Sequence, residues 1–208
     1  MVNVTYRFAE LSDAARQRAI EWFRECVTQD WEPDDIIADA VNLFGHLGIE
    51  FGVRTVKLMN GKTRQEPNVA YSIGFVQGDY ATFTGHWVAE RMHYAALLEQ
   101  APEDAELKRV GAQLMSVMLR YPLASCQIAP FSLRVSIDTA FTGECDDDGG
   151  QVDLDEDTFA TVEACMEALA AWLYQRMADE LLYHGSEQAC IEGIEANEYT
   201  FDEDGKPI

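Results

Sequence analysis

The residues best suited to chemistry in this chain are carboxylates. Glu144, Asp146, Asp147, Asp148, Asp153, Asp155, Glu156 and Asp157 all fall between positions 144 and 157. Oxygen ligands at such spacing suit hard cations. Glu144, Asp146, Asp148 and Gly149 fill positions 1, 3, 5 and 6 of a calcium-binding loop, but position 12 is Asp155, with Glu156 one place late. An EF-hand needs a bidentate carboxylate at that last position and helices on both sides. Here a strand is expected before the loop, so an EF-hand is set aside. A weaker cation site built from Asp146, Asp148 and Asp153 stays open. The plainer reading is a solvated acidic loop feeding a helix N-terminus, where carboxylates favour the helix dipole.

Other reactive constellations are sparse. Five widely separated cysteines, with no C-x-x-C pair, argue against a disulfide framework or a zinc knuckle. Cys165 falls in an apolar helical pattern and reads as a small buried hydrophobe. His86, Glu90 and His93 lack the spacing of a zinc protease, and no phosphate loop, nucleophile elbow or dinucleotide fingerprint occurs. No catalytic residue and no cofactor is assigned. Gln77-Gly78-Asp79 is a turn whose residue types explain themselves, since Gly allows positive φ and Asp bonds local backbone. As a hairpin tip it is also a contact point for a partner.

Charge is distributed unevenly. From Glu144 to the C-terminus there are 19 acidic residues against Arg176 and Lys206, out of a net charge of −22 for the whole chain. Glu163, Glu167, Asp179, Glu180, Glu187, Glu192 and Glu195 extend the acidic character beyond the loop, without enough Lys or Arg for i,i+4 pairing. Such a balance repels nucleic acid and anionic membranes and attracts basic protein surfaces. Solubility alone is the simpler use of the same charge. Arg54, Lys57, Lys62 and Arg64 form the one basic run, too small to overcome repulsion of a phosphate backbone.

Positioning these residues requires a folded scaffold, and the 208 residues, 48% of them hydrophobic, suit one domain. No apolar stretch approaches the roughly 20 residues of a membrane helix, and the N-terminus lacks the apolar core of a signal peptide, so a cytoplasmic location is expected. Val2, Val4, Tyr6 and Phe8 alternate as in a strand. Ser12 or Asp13 caps a helix to about Thr28, striped by Leu11, Ala15, Ala19, Trp22, Phe23 and Cys26. Pro33 opens a second helix. Extended segments follow at 49–58, at 69–75 and at 80–87, the last two forming a hairpin. Helices are expected at 88–100 and 103–120, and a strand at 126–137. The acidic loop spans 144–157, and a long helix occupies 157–183. A short helix at 186–196, an extended Glu198-Tyr199-Thr200-Phe201 and a polar turn or frayed tail from Asp202 end the acidic C-terminal region 157–208. Elements cluster by type instead of alternating, which predicts an α+β fold with packed helices on an antiparallel sheet. Trp31, Trp87 and Trp172 fit either a core or an interface, which leaves the oligomeric state open.

Three blocks carry a resemblance: Tyr6-Arg7-Phe8-Ala9-Glu10-Leu11-Ser12-Asp13-Ala14-Ala15, the hairpin Ser72 to Gly85, and Ile194 to Gly205. In this order they are similar to a family of small phage and prophage proteins, some loosely described as antitoxin-like. Tyr80-Ala81-Thr82 departs from the family, whose members often carry Gly-Ala-Cys there. The resemblance implies a phage or prophage origin and an accessory role in an infected bacterial cytoplasm, and it implies no catalytic residues. With the charge asymmetry, the leading expectation is a non-enzymatic protein that binds and inhibits a bacterial protein. A CRISPR effector or restriction enzyme is the kind of target foreseen, its basic nucleic-acid-binding groove met by a DNA-like acidic surface. The expected contact residues are Asp146, Asp147, Asp148, Asp153, Asp155, Glu156, Asp157, Glu163 and Glu167, with Gln77 and Asp79. An antitoxin-like partner of a toxin, and a metal-binding or enzymatic protein using the acidic loop, remain alternatives.

Overall fold

The computed structural model describes residues 5–131, 133–147 and 149–208; Val2 and Val4 of the expected first strand lie outside them. In chain order the first half contains β1 (Tyr6–Arg7), α1 (Asp13–Gln29), α2 (Asp34–Gly45), β2 (Ile49–Phe51), β3 (Val53–Lys57), β4 (Thr63–Pro67), β5 (Val69–Ser72), β6 (Tyr80–Phe83), β7 (Gly85–Val88) and α3 (Tyr94–Gln100). The second half contains α4 (Ala105–Arg120), β8 (Ser125–Phe131), β9 (Arg134–Cys145), β10 (Gln151–Asp153), α5 (Glu156–His184), α6 (Glu187–Ala196) and β11 (Thr200–Phe201). All strand pairs are antiparallel, so the expected α+β class is found. The Cα positions group into two compact units, residues 1–33 with 177–208 and residues 34–176.

In the first unit the chain ends are sewn together. Ser12 caps α1 by accepting the Ala15 N–H at 3.3 Å, and α1 packs on α6. β1 pairs with β11 through Tyr6↔Phe201 and Arg7↔Thr200. Phe8, Leu11, Ala15, Ala19, Ile20, Cys190, Ile194 and Phe201 form the core. Cys26, expected on the inner stripe, is exposed, and Ile20 takes its place. Of the polar turn and the frayed tail expected from Asp202, the structure has the turn. Asp202 Oδ1 accepts the N–H groups of Asp204 and Lys206, both at 2.9 Å. Gly205, at φ +83°, lets this turn lie against the Ala15 carbonyl, where a Cβ would sit 2.1 Å from the oxygen.

The second unit is built on a five-stranded sheet in the order β10-β9-β8-β7-β2. Its helices and sheet enclose Phe44, Phe83, Trp87, Leu97, Leu107, Leu114, Ile128, Met166, Leu169 and Leu173, all fully buried. Trp87 and Trp172 are thus core residues. Phe44 lies 5.7 Å from Phe51, 5.7 Å from Phe83 and 5.5 Å from Trp172 between ring centroids. The Trp87 indole N–H donates to the Leu47 carbonyl at 3.0 Å, which settles its polar atom.

Two of the expected strands are broken in two. The 126–137 run is divided between two strands, β8 and β9, which pair antiparallel with Phe131 opposite Arg134. The 80–87 run is split at Thr84: β6 pairs with β5, while β7 joins β2 and β8 in the large sheet. The break has a physical cause. The Gly52 N–H donates to the Thr84 carbonyl at 2.7 Å, the Asn68 N–H to the Gly52 carbonyl at 2.7 Å, and the Thr84 N–H to the Asn68 carbonyl at 3.1 Å. The Asn68 side-chain amide adds a bond to Thr84 Oγ1 at 2.9 Å. These three residues separate β2 from β3, β4 from β5 and β6 from β7, so one closed ring of bonds sends three strand pairs in three directions. Gly52 is required there, because a Cβ would lie 2.3 Å from Thr84 Oγ1. Gly52→Ala should therefore destabilise the protein by about 1–3 kcal/mol, through displacement of Thr84 and loss of the Asn68 bond. Urea denaturation followed by tryptophan fluorescence reads this directly.

Candidate functional site

The acidic stretch is not a loop. Glu144 and Cys145 end β9, Gln151–Asp153 form β10, and the two strands pair antiparallel across the turn at 146–150. Asp146 closes this turn: its Oδ1 accepts the Gly150 N–H at 2.7 Å, and its own N–H donates to the Gly150 carbonyl at 2.8 Å. Gly149, at φ +82°, supplies the left-handed step. A β-hairpin replaces the helix-flanked geometry an EF-hand requires. Asp148, one of the three suggested cation ligands, lies outside the described residues. Among the described residues no group of three or more His, Cys, Asp or Glu is placed to hold a metal ion.

The expected contact residues separate by what they already do. Asp155 caps α5. Its Oδ1 accepts the Thr158 N–H at 3.0 Å, and its Oδ2 accepts the Tyr121 hydroxyl at 2.8 Å and meets Arg120 at 3.2 Å. These donors hold its carboxyl down at about 2, the Thr158 N–H and the Tyr121 hydroxyl contributing ahead of the Arg120 charge. The same bond pushes the Tyr121 phenol up. Glu163 accepts the Ser136 hydroxyl at 3.0 Å, which ties α5 to β9. By contrast Asp147, Asp153, Glu156, Asp157 and Glu167 are exposed and meet no cationic side chain among the described residues. Glu156 and Asp157 lie in the first turn of α5, where the helix dipole favours them. Asp179, Glu180, Glu187, Glu192 and Glu195 belong to the other unit, where Glu180 meets His184 at 3.4 Å.

The β5–β6 hairpin ends in the loop at 73–79. Gln77 is exposed at its tip, as expected of a contact point. Asp79 is the loop's internal lock: its Oδ2 accepts the N–H groups of Gly74 and Val76, each at 3.0 Å. Its Oδ1 is shut off from solvent and meets no donor among the described residues. Phe75 is held at φ +55°, an unusual value for an aromatic residue, with its side chain 51% exposed beside Val76 at 67%. β6 lies against β8 and β9. Asp79 there shares a groove of about 320 Å³ with Leu133 and Arg134 at the start of β9 and with Glu167, Ala171 and Tyr174 on α5. The groove thus brings together Asp79 and Glu167, two residues singled out from sequence for separate reasons. Arg134, Tyr174, Phe75 and Val76 were not singled out. Two consecutive apolar residues beside a Gly-Asp turn were the visible hint for Phe75 and Val76. Nothing in the sequence marks Arg134 or Tyr174.

A family model described as a domain of unknown function, DUF8835, matches residues 31–187. The chain belongs to the DUF8835 family. The DUF8835 match takes in the whole of the 34–176 unit, and with it the strand junction, the acidic hairpin and the groove. No curated protein and no solved structure matches the chain.

Two thiols and two guanidinium groups of the DUF8835 region are committed to structure. Burial pushes the Cys165 thiol up to about 11 and the Cys126 thiol up to about 12, which leaves both as inert thiols at neutral pH. In the basic run, Arg54 and Arg64 both turn onto Glu66 and lower its carboxyl pKa. No helix among the described residues is long and apolar enough to cross a membrane.

Asp155 makes the stability of this region depend on pH. Its carboxyl is lowered from the ordinary 3.8 to about 2 in the folded protein, so the unfolded chain takes up the proton first as pH falls. The stabilisation is complete above about pH 4 and is lost as pH falls through 2. The difference in melting temperature between the wild type and Asp155→Asn should therefore be widest above pH 4 and should narrow toward pH 2. Thermal melts at half-unit pH steps check this.

Proposed function

We propose that this chain is a phage- or prophage-encoded accessory protein that acts in the bacterial cytoplasm by binding a host protein, without catalysis of its own. The observation that carries the reading is the set of uncompensated carboxylates on one continuous stretch of chain. Asp147 on the hairpin turn, Asp153 on β10, and Glu156, Asp157 and Glu167 on α5 have no cationic neighbours among the described residues. Self-repulsion of such charge costs stability unless a partner of opposite sign relieves it. DNA carries one charge per roughly 1.7 Å of axis, and a basic groove built for it is the kind of surface these carboxylates would meet. A nuclease or other effector that handles nucleic acid, such as a defence enzyme, is the target class. The phage setting rests on the resemblance of the three sequence blocks.

The test is capture of bacterial lysate proteins on immobilised protein, beside a variant carrying Asp147→Asn, Asp153→Asn, Glu156→Gln and Asp157→Asn. A basic, nucleic-acid-binding protein should be retained by the wild type, released as salt rises toward about 0.5 M, where screening shortens to a few Å, and displaced by excess duplex DNA. The neutralised variant, still folded by circular dichroism, should retain at least tenfold less. Retention that survives both salt and neutralisation would overturn the electrostatic reading.

A further inference from the structure

We propose that the open edge of β2 is a strand-addition site for an extended, acidic peptide segment of a partner protein. β2 is the outermost strand of the five-stranded sheet, at the end opposite β10. Its ladder to β7 determines which backbone groups are left over. The Val88 N–H donates to the Gly48 carbonyl at 3.0 Å, and the Gly52 N–H to the Thr84 carbonyl at 2.7 Å. Alternate residues of an antiparallel strand bond toward opposite edges. Gly48, Glu50 and Gly52 therefore face β7, while Ile49 and Phe51 aim their N–H and C=O groups at the edge that no further strand borders. Backbone groups without a ladder are a template for another chain.

A second groove, of about 380 Å³, runs along that edge. Gly48, Ile49, Glu50 and Phe51 all line it and no described residue of β7 does, so it lies on the open side of the strand. Val41 and Gly45 of α2 form one wall, and Val53 and Pro67 at the base of the β3–β4 ribbon form the other. At Gly45 an added Cβ would meet nothing within 4 Å, so the wall is set back there. Backbone groups along an edge, with apolar surface on both sides for alternate side chains, are what an added strand uses.

Charge selects the peptide. The chain as a whole carries −22, but the balance reverses beside this groove. Arg91 is offset by Glu50 at 2.8 Å, and Glu66 by both Arg54 and Arg64. Lys57 is left over. It shares a face of β3 with Val53, two positions beyond Thr55 on the same alternation, and meets no carboxylate among the described residues. An apolar residue flanked by acidic ones suits this margin better than one flanked by basic ones. None of the acidic-hairpin carboxylates lines the groove, so this site is separate from the surface proposed above.

The test is a ¹H–¹⁵N NMR titration of the full chain with acetyl-Glu-Val-Glu-Val-Glu-Val-amide and with its Lys-for-Glu counterpart. Two further forms of the acidic peptide are N-methylated, one at every Glu nitrogen and one at every Val nitrogen, which blocks one edge or the other. The acidic peptide should give saturable shifts at the amides of Gly45, Ile49, Phe51 and Val53, and the Lys peptide should bind at least about tenfold more weakly. One methylated form should lose binding and the other should keep it. Lys57→Glu, at an exposed position, should weaken the acidic peptide about fivefold or more, and Gly45→Phe should fill the groove and abolish binding. No saturable shift, equal binding of the acidic and Lys peptides, or equal behaviour of the two methylated forms would overturn the proposal. Concentration-dependent shifts at Ile49 and Phe51 without any peptide would do so too, by showing a second copy of the chain as the occupant. Failure here leaves the acidic-surface reading intact, because none of its residues is varied.

Discussion

Three backbone hydrogen bonds, closed in a ring through Gly52, Asn68 and Thr84, determine the layout of the 34–176 unit. A strand that changes sheet must leave its ladder, and its N–H and C=O groups then need other partners. Here three strands leave at one level and satisfy one another. The Asn68 side chain reinforces the ring from within. Of the three arms, β2 and β7 continue into the large sheet, β3–β4 stands as its own ribbon, and β5–β6 folds back over β8 and β9. That last arm carries Asp79 to the start of β9 and to α5. The groove therefore depends on backbone bonds formed at the far end of the hairpin from the loop that lines it.

The carboxylates are not equivalent, although the sequence presents them as one run. Asp146 closes a turn, Asp155 caps a helix, Asp79 orders a loop and Glu163 ties a helix to a strand. Each of these trades hydration for specific N–H or O–H donors, and such charge-assisted bonds are about twice as strong as neutral ones. Asp155 shows the consequence most directly, since its donors favour the ionised form and draw its pKa down. What remains after these are removed is a shorter set, Asp147, Asp153, Glu156, Asp157 and Glu167, with no cation beside it among the described residues.

The elements with strong period were legible in the sequence. The helix at Asp13–Gln29, its Ser12 cap, the long helix at Glu156–His184 and the β5–β6 hairpin follow from apolar spacing and turn chemistry. What was not legible is where a continuous extended run changes partner. Tyr80 to Trp87 has uniform strand character, and only the long-range bonds of Thr84 to residues 52 and 68 break it. The acidic run misled in a similar way. Asp, Gly and Glu composition looks like loop, yet Val152 and the Asp146–Gly150 lock are enough to pair a short strand with the end of β9. Of the groove, Asp79 and Glu167 were visible as residue types, while their meeting was not, because residues so far apart in sequence come together only through the fold of the β5–β6 arm.

Ordinary structural uses absorb part of the remaining charge as well. β10 is an edge strand of the five-stranded sheet, and a charged residue such as Asp153 guards an edge against pairing with another chain. Glu156 and Asp157 gain from the dipole of α5, at about 0.3–1 kcal/mol each. Neither account reaches Glu167, which lies three turns into the helix, beyond the reach of its N-terminal dipole, and is not itself part of a strand. It lines a groove together with Asp79, whose carboxylate is already engaged by the N–H groups of its own loop. Glu167 is therefore the member of the set for which neither the helix dipole nor the protection of a strand edge accounts.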